Sequence, residues 1–224
     1  MLIKTMIQGA LLTVLTLFGG LLLGSAIGFS VFEALPGHSI VSPSAVHISL
    51  AALPAFAGFL GGSAAWGVLM GRLAGRRDGR RLALAGMVGF APITLTLGIG
   101  LSAIEPYVLE QLGAWLPVHR LFTLLFVPAA FLIAGVSAWA AGLELGRRPL
   151  AWALLWRVGG AAALAFLGVN LVMEACGWVV GGPNAAARYT MLTVMILGNL
   201  GAALAGGAVM GAALAAIRQT PASS

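Results

Sequence analysis

Residues 28 to 33, Gly28-Phe29-Ser30-Val31-Phe32-Glu33, close the first long apolar run of this chain, and their pattern returns twice. GLSAIE repeats it at Gly100, Ser102 and Glu105, 72 residues later, and VNLVME gives a third form ending at Glu174, a further 69 residues on, with Asn170 where the others have serine. Fourteen residues after each glutamate stands a basic or titratable residue: His47, His119 and Arg188. Lysine and arginine number 12 and histidine 3 among 224 residues, so three hits at one spacing argue for an internal repeat. A fixed period constrains the fold before any local propensity does.

What each repeat contains follows from hydropathy. Apolar residues make up 60% of the chain, charged residues 8%, and the mean hydropathy is +1.03. Runs of about 20 nearly uncharged residues cover most of its length, and backbone in lipid must satisfy its own hydrogen bonds, so these runs are expected to be transmembrane helices. A membrane barrel would show short alternating segments instead, and none occur. The first run, LLTVLTLFGGLLLGSAIGFSVF, is too long for a signal peptide core and lacks a clear small-residue cleavage site.

Six helices are expected, at about 1–33, 47–70, 82–104, 119–145, 150–174 and 189–217. Glycine ridges mark their contact faces: Gly20, Gly24 and Gly28 on the first, Gly58, Gly62, Gly67 and Gly71 on the second, Gly207 and Gly211 on the sixth. Pro54 is expected to kink the second helix, and Pro92, with Thr94 and Thr96 beside it, lies near the middle of the third. Trp66 and Trp139, 19 and 20 residues after His47 and His119, are expected where helices meet the inner headgroups. The tail RQTPASS, 218–224, is expected to be short and disordered.

Charge sets the orientation. Lys4, the loop RLAGRRDGRR with Arg72, Arg76, Arg77, Arg80 and Arg81, the pair Arg147 and Arg148, and Arg218 fall on one side, leaving Arg120 and Arg188 on the other. By the positive-inside rule both termini are cytoplasmic. The fold class expected is therefore an all-α integral membrane protein, a single six-helix domain over 1–217, built as three tandem antiparallel hairpins of about 71 residues (1–72, 73–147 and 148–218). Units in tandem share one orientation, so they should pack around an axis along the membrane normal. The expected location is the cell's inner membrane.

A hairpin sets the end of its first helix beside the start of its second, so Glu33 should neighbour His47, Glu105 should lie within about 10 Å of His119, and Glu174 should neighbour Arg188. These six groups have three readings. They cap helices and pair in solvated salt bridges; they converge as a cation-attracting mouth or proton relay; or His47 and His119, the weak metal candidates, ligate zinc, iron or haem, although no HExxH or ExxH spacing supports that. Deeper polar residues are few. Asn199 lies near the midplane, Asn170 shares a helix face with Glu174 just under the outer surface, and Arg157 sits inside the inner leaflet, placed to snorkel or to meet a carbonyl.

Several function classes fall away. The arginines sit in short loops, where topology and anionic headgroups account for them without nucleic acid. One cysteine, Cys176, allows no internal disulfide and no multi-cysteine metal site. No phosphate loop, nucleophile elbow or paired-carboxylate motif is present, so an enzyme reading has no residue to rest on and no cofactor is called for. The scarcity of midplane polar groups argues against a wide aqueous pore. What stays is a small permease or channel-like protein for a small, weakly polar solute or a cation. The alternative is a non-catalytic membrane subunit whose glycine faces meet partner chains or further copies of itself.

Overall fold

The computed structural model describes residues 2–35, 45–75, 79–90, 118–146, 148–178 and 185–219. All six stretches are helical: α1 Leu2–Ala34, α2 Ala45–Leu73, α3 over 79–90, α4 Val118–Glu144, α5 Arg148–Ala175 and α6 Ala185–Gln219. Five helices among the described residues are long and apolar enough to cross a membrane: α1, α4, α5 and the C-terminal parts of α2 and α6. Pro92, Thr94, Thr96 and Glu105, the C-terminal half expected of the third helix, the tail 220–224, and the side chains of His47, His119 and Arg188 lie outside the described residues.

Size sorts the residues. On α1 the buried positions are Thr5, Gly9, Thr13, Leu17, Gly24 and Gly28, nearly all small and four or seven apart, which draws one stripe along the helix. Leu2, Ile3, Ile7, Leu11, Leu15, Leu22, Leu23 and Ile27 on the same helix face outward, each at least half exposed. In water that surface would be an aggregation hazard. In a bilayer it costs nothing, because lipid tails solvate large apolar side chains while small residues allow backbones to close. The surface is that of a multi-pass membrane protein.

The small stripes decide which helices touch. Gly20 abuts Gly58 and Gly62, and Gly24 abuts Pro54, so α1 and α2 run antiparallel in backbone contact. Gly67 meets Leu82 and Gly86 meets Ser63, joining α2 to α3, and three residues further Gly89 meets Ser137 of α4. Gly142 rests on Ala151 and Gly135 on Leu155, joining α4 to α5; Gly198 meets Phe166 and Gly201 meets Val169, joining α5 to α6. Gly9 and Thr5 on α1 close on Gly207 and Gly211 of α6. Each helix thus lies beside the next in sequence, and the last beside the first. Ser63 and Ser137, fully buried in these seams, donate to the carbonyl oxygens of Phe59 and Ile133 one turn back, at 2.7 and 2.6 Å, which disposes of their hydroxyls without a cross-helix partner.

Helix ends follow the usual chemistry. Gly75, Gly146 and Gly177 take positive φ (81°, 75° and 69°) just past α2, α4 and α5, the left-handed cap that glycine adopts without steric cost. After α5 the Trp178 amide reaches back to the Met173 carbonyl at 3.0 Å and the Gly177 amide to Glu174 at 3.0 Å, satisfying carbonyls the helix leaves open.

Candidate functional site: an apolar cavity between the helices

A cavity of about 450 Å³ lies inside the ring of helices, and all six contribute to its wall. Its largest side chains are aromatic: Phe18 of α1, Phe56, Phe59 and Trp66 of α2, Phe90 of α3 and Phe126 of α4. The rest is mainly Leu, Ile, Val, Ala and Gly. From Thr13 to Leu21 on α1, from Trp66 to Phe56 on α2, from Ala134 to Phe126 on α4 and from Gly207 to Ile196 on α6, the lining runs away from the helix ends that carry Lys4, Arg72, Arg80 and Arg148. These stretches of nine to twelve residues correspond to a depth of about 12 to 17 Å.

The floor is built by Trp66. Its ring stands edge-on to Phe90, with centroids 5.3 Å apart, and Phe90 in turn meets Phe59 at 6.0 Å. Such edge-to-face pairs bring a positive ring edge to a negative face. The indole nitrogen donates to the Thr13 hydroxyl at 3.0 Å, and that hydroxyl donates to the Gly9 carbonyl at 2.8 Å, so both polar groups are satisfied in an apolar surround. Trp66, expected where the second helix meets the inner headgroups, is 2% exposed and points into the bundle. Helix α2 continues to Leu73, two turns past it. The Trp139 indole nitrogen is likewise buried, with no hydrogen-bond partner, and its ring leans on Trp152 at 6.0 Å.

The other wall is held by Phe166 of α5, which is 1% exposed and stacks on Phe126 at 6.2 Å while its edge fills the gap left by Gly198. Without a side chain at Gly198, α6 approaches closely enough to place Asn199 at the cavity surface. Asn199 and Thr13, with the Trp66 indole N–H, are the polar side-chain groups of the lining. Among the described residues no carboxylate lines it, and no group of three or more metal-ligating side chains exists.

Of the candidate site residues the sequence singled out, Asn199 is the one that lines this cavity among the described residues. Asn170 is 5% exposed, packed inside the bundle; its amide nitrogen donates to the Phe166 carbonyl at 2.8 Å and its Oδ1 is buried without a partner. Glu33 is exposed at the end of α1. Glu174 receives two hydrogen bonds from Arg120 at the start of α4, the one from Nε at 2.9 Å, an ion pair the sequence reading did not foresee. The hydrogen bond and the charge of Glu174 together push the Arg120 guanidinium further up from its already high value. Arg157 is exposed on the outer side of α5.

The aromatic lining was missed because apolar side chains in a membrane protein face lipid as readily as the interior. Phe56, Phe59 and Trp66 share one side of α2, a spacing that signals a face without saying which way it looks. No known protein family, characterised protein or solved structure compared with this chain matches it.

Proposed function

We propose that this chain is a small permease-like membrane protein that takes an uncharged, weakly polar solute into the cavity between its helices. The observation that carries this reading is the cavity's chemistry: about 450 Å³, walled by aromatic and aliphatic side chains, with Thr13, the Trp66 indole and Asn199 as its polar groups. A cation stripped of water there would meet no carboxylate and no ring of carbonyls among the described residues, and burying a bare charge without such partners is prohibitive. An apolar solute with one hydrogen-bonding group loses little by entering, since aromatic walls and one or two polar groups suit it. Of the two solute classes open to a permease, the weakly polar one is favoured.

In this reading the basic helix ends face the cytoplasm, both termini are inside the cell, and the cavity opens toward the opposite side. The three hairpins act as one repeated unit. Glu33, His47, Glu105, His119, Glu174 and Arg188 form the polar collar of the outer mouth, and the protein resides in the cell membrane. The subunit alternative needs glycine ridges turned outward toward partner chains. Gly9, Gly20, Gly24, Gly58, Gly62, Gly207 and Gly211 are used within the bundle, which supports the free-standing permease, while a methyl group at Gly160 or Gly168 of α5 would have no neighbour within 4 Å, which leaves that face open.

The test is uptake by proteoliposomes of a panel of ions and small uncharged solutes, for the wild type and for Ala203→Leu and Ala134→Leu, which fill the cavity from α6 and α4. Uptake of one or more uncharged solutes that both substitutions reduce supports the reading. Cation flux, or no uptake of anything with partner chains co-purifying, refutes it.

A further inference from the structure

The outer face of α5 carries a charge where lipid is expected. Arg157 is exposed, stands nine residues into the helix from Arg148, and is paired with no carboxylate among the described residues. Nine residues amount to about 13 Å of helix axis, and the 28 residues of α5 to about 42 Å, against a hydrocarbon core of ~30 Å. With the helix ends shared between the two headgroup zones, the Arg157 backbone lies about 7 Å inside the hydrocarbon boundary. Side chains on a helix tilt toward its N-terminus, so the Arg157 stem runs back toward the nearer surface and carries the guanidinium to the level of the lipid phosphates.

The surroundings suit a lipid molecule. Trp156 immediately precedes Arg157 and Trp152 stands a turn nearer the N-terminus, on the side toward α4; they are 65% and 57% exposed, with rings that lean on Phe131 and Trp139 of α4 at 5.3 and 6.0 Å. Indoles held in this way sit where headgroup meets acyl chain. Toward the midplane, Gly160 and Gly168 leave bare backbone on the same face: a methyl group at either would meet nothing within 4 Å. Leu164 between them is 71% exposed. Two small notches, one on each side of Leu164, thus lead away from the guanidinium along the helix.

We propose that this face binds one anionic phospholipid, its phosphate held by the Arg157 guanidinium, its glycerol region against Trp156 and Trp152, and an acyl chain lying along Leu164 and the open backbone at Gly160 and Gly168. The unpaired cation selects the anionic headgroup, because a zwitterionic lipid brings an ammonium of its own. The planar guanidinium suits a phosphate better than an ammonium would. The site is separate from the cavity and makes no use of the proposed solute pathway.

The experiment is native mass spectrometry of the protein extracted from equimolar phosphatidylglycerol and phosphatidylcholine, comparing wild type, Arg157→Gln, Arg157→Lys and, as a remote basic control, Arg80→Gln. The wild type should retain phosphatidylglycerol preferentially. Arg157→Gln should lower that retention about fivefold, Arg157→Lys less, and Arg80→Gln not at all. Equal retention in wild type and Arg157→Gln overturns the proposal, as does a loss of bound protein chains in place of lipid. Brominated phosphatidylglycerol should also quench wild-type tryptophan fluorescence more than brominated phosphatidylcholine does, with the difference removed by Trp152→Phe/Trp156→Phe; equal quenching by the two lipids overturns it.

Discussion

Trp66 and Thr13, 53 residues apart in sequence, are joined by an indole-to-hydroxyl hydrogen bond of 3.0 Å that ties α2 to α1 at the cavity floor. Thr13 accepts from Trp66 and passes its own proton to the Gly9 carbonyl, so one hydroxyl serves both neighbours. Thr13→Val keeps the shape and removes the acceptor, leaving a buried N–H unpaired. Thermal unfolding in detergent should register a loss of about 1–3 kcal/mol for Thr13→Val and little for Thr13→Ser.

Close approach of α1 and α2 requires glycine at the crossing. A methyl group on Gly20 would strike the Gly58 carbonyl oxygen, and one on Gly58 the Gly20 carbonyl oxygen, whereas at Gly19 it would meet nothing. Gly20→Ala and Gly58→Ala should therefore each destabilise by about 1–3 kcal/mol, since backbone has no rotamer to move aside. Gly19→Ala should be neutral or slightly stabilising, and equal melting of all three variants would contradict the packing described.

Asn170 is a polar group held at a loss. Its Oδ1 is buried and unpartnered while its amide returns to its own helix. Replacing it by leucine removes that deficit, so Asn170→Leu should raise stability by about 1 kcal/mol and leave solute uptake unchanged. A fall in the unfolding midpoint would show that the oxygen has a partner in the membrane.

The Arg120–Glu174 pair joins the start of α4 to the end of α5 in the open, with side chains 56% and 30% exposed. Exposed pairs contribute little and are screened by salt. A base whose pKa is raised on folding contributes stability that persists below its unfolded value and is lost only above its folded one. For Arg120 that window lies above any working pH, so the pair opens only when acid protonates the carboxylate. Glu174→Gln should lower the melting midpoint slightly at low ionic strength and not at high salt, as a salt series of melts would show.

How much of this the sequence disclosed depended on the kind of signal. Helix positions were legible because hydrocarbon tolerates only long uncharged runs, so the expected bounds at 1–33 and 119–145 fall within a residue or so of α1 and α4. The glycine ridges were legible as contacts, since Gly20 and Gly24 do meet α2, but the partner of each ridge was not. Trp66 was not legible as a core residue because tryptophan serves both as a headgroup anchor and as a core residue once its N–H finds a Thr13. The cavity was illegible: its walls are apolar residues of the same kinds that face lipid, and only packing decides which way Phe56 or Phe126 looks. Asn199 was recognised by its depth, a signal that survives because amides are rare at the midplane.

The account stands or falls on the cavity being dry and open to an uncharged guest. Xenon occupies apolar cavities and leaves polar, hydrated ones alone. Anomalous diffraction from a xenon-pressurised crystal should show a peak among Phe56, Phe59, Trp66, Phe126 and Asn199, weakened in Ala203→Leu. Ordered waters or a hydrated ion in that space, with no xenon peak, would contradict it.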